Sequence, residues 1–278
     1  MKSATDALSL QGICQFVRNE DVSDKIAVYD VVDSTNIIAR DLVASEAQKK
    51  DIVIVANGQT AGRGRYGRSF FSPPGHGLYM SFIIDTSLTS QESMEKWSET
   101  PALITAFSAV AVCQAIEEVT EKTPQIKWIN DIFYNGRKVC GISAEAVTDG
   151  ASRKIKAVIV GIGVNFTTPD SGEYPSEIKN IAGSLFSASE KPSISRNQLA
   201  AEIINKMTDI GNKSDINVIL AEYRKRLFVL GKEITVTAGH SEPFSATAID
   251  IDEKGQLIIK TDESEIKTLS SAEISIKW

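Results

Sequence analysis

Three segments of the sequence carry the side chains that anion chemistry requires. The first is Gly62-Arg63-Gly64-Arg65-Tyr66-Gly67-Arg68. Glycine lets backbone N–H groups approach an anion closely, and guanidinium groups meet carboxylate or phosphate oxygens with paired donors. The glycines also satisfy the G-x-G-x-x-G pattern of dinucleotide folds. That fingerprint requires a helix to begin at the glycines, so that its N-terminus carries the pyrophosphate. Here Ser72-Pro73-Pro74-Gly75 breaks any helix within a few residues, and a strand pattern starts at Leu78. The Rossmann reading fails. Taken alone, the loop fits either an anion cradle or a solvated basic turn.

The second segment begins with Lys127-Trp128-Ile129-Asn130-Asp131, which reads as a strand ending in polar residues. Strand alternation would turn Lys127 and Ile129 to one face, and Trp128 and Asn130 to the other. A hairpin signal at Asn135-Gly136 leads into Arg137-Lys138-Val139-Cys140-Gly141-Ile142. Lys138 stands there in an apolar run, so its ammonium needs a partner or a wet cavity. The third segment is Val160-Gly161-Ile162-Gly163-Val164-Asn165. Gly161 and Gly163 share one strand face and leave room beside it, for a flat ligand or for a crossing helix.

Other chemistries have little to draw on. The two histidines, His76 and His240, are far apart in sequence, so no histidine-based metal cluster is expected and no metal ligands are assigned. Neither GxSxG nor GxxxxGK[ST] occurs.

Regular elements must hold these segments in place. Strand patterns run over 26–32, 52–56, 78–84, 126–129, 138–147 and 156–165. A helix is expected from Ser34, with serine or aspartate capping its first N–H groups. The longest helical pattern runs from Pro101 to Val119, and others cover 196–210 and 215–228. One short helical pattern lies within residues 1–24, and a long surface loop is expected over 167–189. From Gly231 the sequence alternates in twos, with turn signals at Ala238–Glu242 and Asp252–Gly255. This predicts a mixed α/β domain over 1–230 and a small β-barrel or sandwich over 231–278, too small to hold a large pocket.

Composition bounds the function. The chain has 278 residues, 42% hydrophobic and 24% charged, which suits one large globular domain with a small one. A net charge of -6 makes a poor generic binder of nucleic acid, because phosphate contacts need clustered cations. Cys14, Cys113 and Cys140 show no CxxC spacing and read as thiols in a reducing compartment. No apolar run approaches the roughly 18 residues that span a bilayer, and the N-terminus lacks a secretory pattern. A cytoplasmic protein without membrane contact is expected.

Taken in order, the motifs resemble those of the bacterial biotin protein ligases. The matching run comprises Asp33-Ser34-Thr35-Asn36, Gln59 through Arg68, Phe71-Ser72-Pro73, Lys127 to Asp131, Arg137 to Ile142 and Gly161 to Asn165. The terminal β segment resembles the SH3-like module of that family. The resemblance implies an α+β catalytic domain, like those of class II aminoacyl-tRNA synthetases, with helices on a mixed sheet and a C-terminal SH3-like barrel. It implies ATP-dependent formation of biotinyl-5'-AMP, with Mg²⁺, and transfer of biotin to a lysine of a biotin carboxyl carrier domain. Carried over residue by residue, Ser34, Thr35, Asn36 and Gln59 belong to the biotin ring site. Arg63, Gly64 and Arg65 close over its tail and carboxylate. Lys138 reaches the carboxylate and α-phosphate beside Gly141, with Asn130 and Asn165 on the ATP side. Arg68 and Lys127 are phosphate partners.

Two positions depart from the family: it often has proline at 129 and, near the nucleotide, tryptophan at 70, where this chain has Ile129 and Phe70; both keep apolar or aromatic character, and the change bears on adenine packing. Repressor members carry about 60 residues of winged helix before the catalytic domain. The roughly 25 non-basic residues ahead of the first strand do not fit one, so the monofunctional type without DNA binding is expected. For mechanism, Arg65 and Lys138 are expected to neutralise charge developing on the phosphoryl oxygens, and Asp131 to accept or orient the acceptor lysine's proton. The rivals are a lipoate or octanoate ligase and a non-catalytic biotin-sensing regulator. The sequence leaves the oligomeric state open, a homodimer included.

Overall fold

The structure, a computed structural model, describes residues 7–45, 53–85, 101–149, 154–169, 174–213, 215–237 and 242–276. His240 and most of the turn expected at 238–242 lie outside them. Seven strands build the larger sheet: β1 (Ile26–Val32), β2 (Val53–Gln59), β3 (Gly77–Asp85), β4 (Gln125–Lys127), β5 (Asp131–Tyr134), β6 (Arg137–Thr148) and β7 (Ile155–Asn165). Their order is β1-β2-β3-β7-β6-β5-β4, and only the β1–β2 pair is parallel. The expected mixed sheet is therefore present.

Alternation assigns each face of this sheet a task. Val53, Val55, Met80, Phe82, Val158, Val160, Ile162 and Val164 join the main core. That face is covered by α4 (Pro101–Thr120), which packs in turn against α5 (Arg196–Lys213) and α6 (Ile216–Arg226). Contrary to the sequence expectation, residues Ala102–Thr120 are long and apolar enough to cross a membrane, but 78% of their most apolar window is buried. A helix apolar on all sides and packed within a core is a core helix.

The opposite face carries the site. One end of it is sealed by α3 (Thr35–Ala44), whose Ala39 and Val43 pack on Ile54, Ile83, Ala157 and Ile159. Further along lie Ser81, Gly161 and Ser143, paired in one row across the strands, and then Tyr79, Gly163, Gly141 and Asp131 in the next. Small or polar residues here leave a trough beyond the end of the helix.

Three expectations need correction. Ser34 stands at the N-cap of α3, but its side chain makes no capping bond, so it is left to the trough. Residues Trp128–Asn130 form a turn after β4 rather than a strand end, with a cis Trp128–Ile129 peptide, so alternation does not divide them between two faces. The single N-terminal helical pattern resolves into two short helices, α1 (Leu10–Cys14) and α2 (Glu20–Ser23), tied to α5 through Asn197 and Asn205.

The C-terminal strands β8 (Glu233–Thr237), β9 (Phe244–Ile251), β10 (Leu257–Thr261), β11 (Ile266–Leu269) and β12 (Glu273–Ile276) form a separate antiparallel sheet. Its order is β11-β10-β9-β8-β12. It docks on the larger unit where Trp128 Nε1 donates to Gly255 O at 3.0 Å and Arg224 pairs with Asp250 at 2.6 Å.

Candidate active site

The arginine loop is a pinched tongue rather than an open coil. Backbone bonds tie Gln59 N to Ser72 O, Phe70 N to Gly62 O and Gly64 N to Arg68 O. At its tip, Arg65–Gly67 make one 3₁₀ turn, and Gly67 has φ +75°, a backbone region that side chains disfavour. Gly62 is required for a different reason. A Cβ there would stand 2.5 Å from both Phe70 O and Ser72 Oγ.

Beneath the tongue lie two clefts. The first is lined by Ser34, Thr35, Asn36, Gln59, Arg63 and Gly141, with Ser81 just behind. Its far end is a hydrogen-bonded network of neutral side chains with one ion pair at its edge. Gln59 Oε1 accepts from Thr35 N at 2.9 Å, and Gln59 Nε2 donates to Ser72 Oγ at 3.0 Å. The fully buried Ser81 Oγ lies 2.7 Å from Thr35 Oγ1 and 2.6 Å from Asn36 Oδ1. Asn36 Nδ2 donates to Ser143 Oγ and to Glu145, which pairs with Arg40.

The second cleft is lined by Arg68, Lys127, Trp128, Asp131 and Asn165 from the larger unit, and by Ala272, Glu273 and Ile274 of the C-terminal sheet. It is ionic. Lys138 Nζ lies 2.6 Å from Asp131 Oδ1, and Arg68 holds Glu273 through two contacts of 2.6 Å. Arg65 donates to Asn130 Oδ1 at 3.0 Å and to Ser271 Oγ at 3.2 Å. Asn130 is itself fixed by donating Nδ2 to Ile142 O, and Asn165 by donating to Gly183 O. Burial pushes Lys127 below its ordinary pKa; Asp131 opposes that shift and Lys138 adds to it. The hydrogen bond to Glu273 raises that of Arg68.

Gly64, Arg65, Phe70, Asn130 and Lys138 line both clefts, so they form the seam between them. Lys138 reaches the seam because of a β-bulge. The register of β6 shifts on β5, with Ile132 opposite Cys140 but Phe133 opposite Lys138. Regular alternation would turn Lys138 away from Gly141; the extra residue brings it round, and a Cβ on Gly141 would meet Lys138 Cε at 3.3 Å. Backbone bonds from Lys138 N to Ile181 O and from Gly183 N to Lys138 O hold the position on the other side.

Residues 28–165 match the biotin/lipoate A/B protein ligase family, and residues 229–277 match the biotin protein ligase C terminal domain. The bifunctional ligase/repressor BirA of Bacillus subtilis is 32% identical over 266 residues, spanning 94% of this chain and 76% of that protein. The chain belongs to the biotin protein ligase family. A biotin–[acetyl-CoA-carboxylase] ligase of Mycobacterium tuberculosis is 27% identical over 238 residues, covering 83% of this chain and 82% of that one. Among solved structures, the biotin protein ligase from Aquifex aeolicus in complex with biotin and ATP has a TM-score of 0.69 at 27% identity. That match covers 91% of this chain and 98% of that chain.

Every site residue named from the family motifs lines one or both clefts of this chain. Sequence reading missed Ser81 and Ser143, which look like ordinary strand serines until the register brings them beside Asn36. It also missed Ser271 and Glu273. Through Ala272, Glu273 and Ile274 the small β unit supplies one wall of the second cleft. The glycine reading changes too. The room at Gly161 is taken by Asn36 and Ser143, and the room at Gly163 by the Phe70 ring.

Proposed function

We propose that this chain activates biotin with ATP as biotinyl-5'-AMP and transfers the biotinyl group to a lysine of a biotin carboxyl carrier domain. One observation carries the reading. Arg65 and Lys138, from two separate junctions, line the seam shared by a neutral cleft and an ionic one. The neutral cleft suits a ureido ring, whose N–H and C=O groups need matched partners of both kinds. The ionic cleft suits a triphosphate.

In the first step a carboxylate oxygen attacks the α-phosphorus and pyrophosphate leaves. Two anions must approach, and charge builds on the phosphoryl oxygens, so fixed cations and N–H donors are the useful groups. Arg65 and Lys138 take that role, with Asn130 orienting Arg65. Lys127 and Arg68 face the departing phosphates. The product is a mixed anhydride that water would destroy, and the tongue over 62–70 shields it. In the second step the neutral amine of the acceptor lysine attacks the anhydride carbonyl, AMP departs, and the amine proton is lost. We assign to Asp131 the role of the carboxylate that takes or orients that proton; its partner in the structure is Lys138.

A Mg²⁺ ion bound with the nucleotide would neutralise part of the triphosphate charge. Among the described residues no group of three His, Cys, Asp or Glu side chains forms a metal site, and both acids of the cleft are engaged by Lys138 and Arg68. Such an arrangement fits an ion held by phosphate oxygens and water. We further read residues 1–230 as the catalytic domain, related to class II aminoacyl-tRNA synthetases, and 231–278 as an SH3-like barrel. The setting is the cytoplasm, where Cys14, Cys113 and Cys140 remain thiols. A homodimer is compatible with this reading, which assigns no DNA contact.

Pyrophosphate exchange measured with biotin and with lipoate tests the proposal, followed by transfer to a carrier domain. Exchange with biotin is expected. Exchange with lipoate alone would support the lipoate ligase, and salt-dependent DNA affinity without exchange would support the regulator.

A further inference from the structure

The site face of the sheet is floored by glycine, and its coverings are the protein's own side chains. At Gly163 an added Cβ would stand 2.6 Å from Phe70 Cε1, and at Gly141 it would stand 3.1 Å from Phe70 Cε2. These two glycines face each other across β6 and β7, with Tyr79 next in the row. The Phe70 ring meets Tyr79 edge-on, with centroids 6.4 Å apart. Phe70 therefore sits in a seat that only glycine provides, pinned through its own N–H to Gly62 O at 2.8 Å.

Its place along the trough matters. The neutral network clusters at the Gly161 row, where Asn36 and Ser143 lie. The Lys138 ammonium stands beside Gly141, in the next row, at the seam. The Phe70 ring covers Gly163 and shares Gly141 with Lys138, one row on from Gly161. Met80, Ile142 and Ile162 also border the first cleft, but they belong to the core face and are at most 2% exposed. Among the described side chains, the large apolar one placed over the site face between the ring site and the cation is Phe70.

We propose that Phe70 is a specificity-determining residue that measures the acyl chain. This inference rests on the reading of the chain as a biotin-activating enzyme. With the acid's ring held at the Gly161 end and its carboxylate at Arg65 and Lys138, the intervening methylenes run along the Phe70 ring. A chain one methylene longer must buckle into the space that the ring fills. A shorter chain leaves its carboxylate short of the cations. Gly163 takes part by keeping the ring seated.

Pyrophosphate exchange with biotin and with an analogue one methylene longer tests this. The wild-type protein is expected to favour biotin by about tenfold or more in kcat/KM, the scale of one methylene in an apolar site. Phe70→Ala should bring that ratio to within about twofold, a change that general loss of stability would not produce. Phe70→Leu, which keeps apolar bulk and guards against misfolding of the alanine variant, should fall between. Gly163→Ala should behave like Phe70→Ala, and the double variant should be no worse than either. Undiminished discrimination in both Phe70 variants, with exchange still measurable, overturns the inference alone. A wild-type protein that gives no exchange with biotin overturns the function reading and this inference with it.

Discussion

The two clefts that share one seam are built on opposite principles. The ring end is mainly a network of neutral groups, running from Gln59 through Thr35, Ser81 and Asn36 to Ser143, with the Glu145–Arg40 pair at its edge. All of it lies on the larger sheet and α3. The nucleotide end is a set of ion pairs, Lys138–Asp131 and Arg68–Glu273, and it spans both units. A ligand at the first end replaces or extends hydrogen bonds whose geometry is fixed beforehand. A ligand at the second competes with resident carboxylates for the same cations. Recognition should therefore be steep in shape and insensitive to salt at the ring end, and the reverse at the nucleotide end.

The largest effect expected is from Lys138→Ala. Removing one fixed donor to developing charge typically costs about 10²–10³-fold in rate, and saturating biotin should not restore pyrophosphate exchange. A near-normal rate would break the assignment of the seam as the reacting point.

Next comes the ring end. Gln59→Ala leaves Thr35 N–H without its acceptor and removes a partner for the ring, a loss of about 1–3 kcal/mol, or roughly five- to 150-fold in biotin affinity. Calorimetry should show that loss unchanged by added salt, with ATP affinity preserved. A loss of equal size for ATP would erase the contrast between the clefts.

Lys127 offers a smaller test through pH. Burial lowers its pKa, so its ammonium deprotonates at a lower pH than that of an exposed lysine. The triphosphate favours the charged form. ATP affinity should therefore fall as pH rises through that depressed pKa, and Lys127→Arg, always charged, should flatten the profile. An unchanged profile in the variant would remove Lys127 from the phosphate site.

The smallest effect belongs to the contact between units. Glu273 and Arg68 are 40% and 66% exposed in their side chains, so their pairing is screened by water and salt. Glu273→Gln should change the KM for ATP by only about twofold to fivefold at low salt, and the change should fade at high salt. Biotin affinity should not move. A change in biotin affinity would show that the C-terminal wall reaches further than the second cleft.

Local signals were what the sequence displayed best. Most of the strand patterns and the Asn135-Gly136 turn depend on near neighbours, and they appear where the sequence puts them. What escaped depends on register and on contacts between distant segments. The bulge in β6 that re-aims Lys138 leaves no residue signature, since Val139 and Cys140 are both apolar and both buried. Ser81 and Ser143 acquire meaning only when β3, β7 and β6 are aligned. Gly163 was visible as a gap, but its occupant, Phe70, comes from a tongue more than 90 residues away in sequence. Trp128 to Asn130 read as the end of a strand, yet they turn, and Trp128 meets the C-terminal unit at Gly255.

A double-mutant cycle on Arg65 and Lys138, read by biotin-dependent pyrophosphate exchange, is the most direct measurement of whether two cations act at one reacting centre. Groups that work as a unit are strongly non-additive, so Arg65→Ala/Lys138→Ala should be little slower than the slower single variant. Losses that multiply fully, or a single variant that keeps its rate, would contradict convergence at the seam.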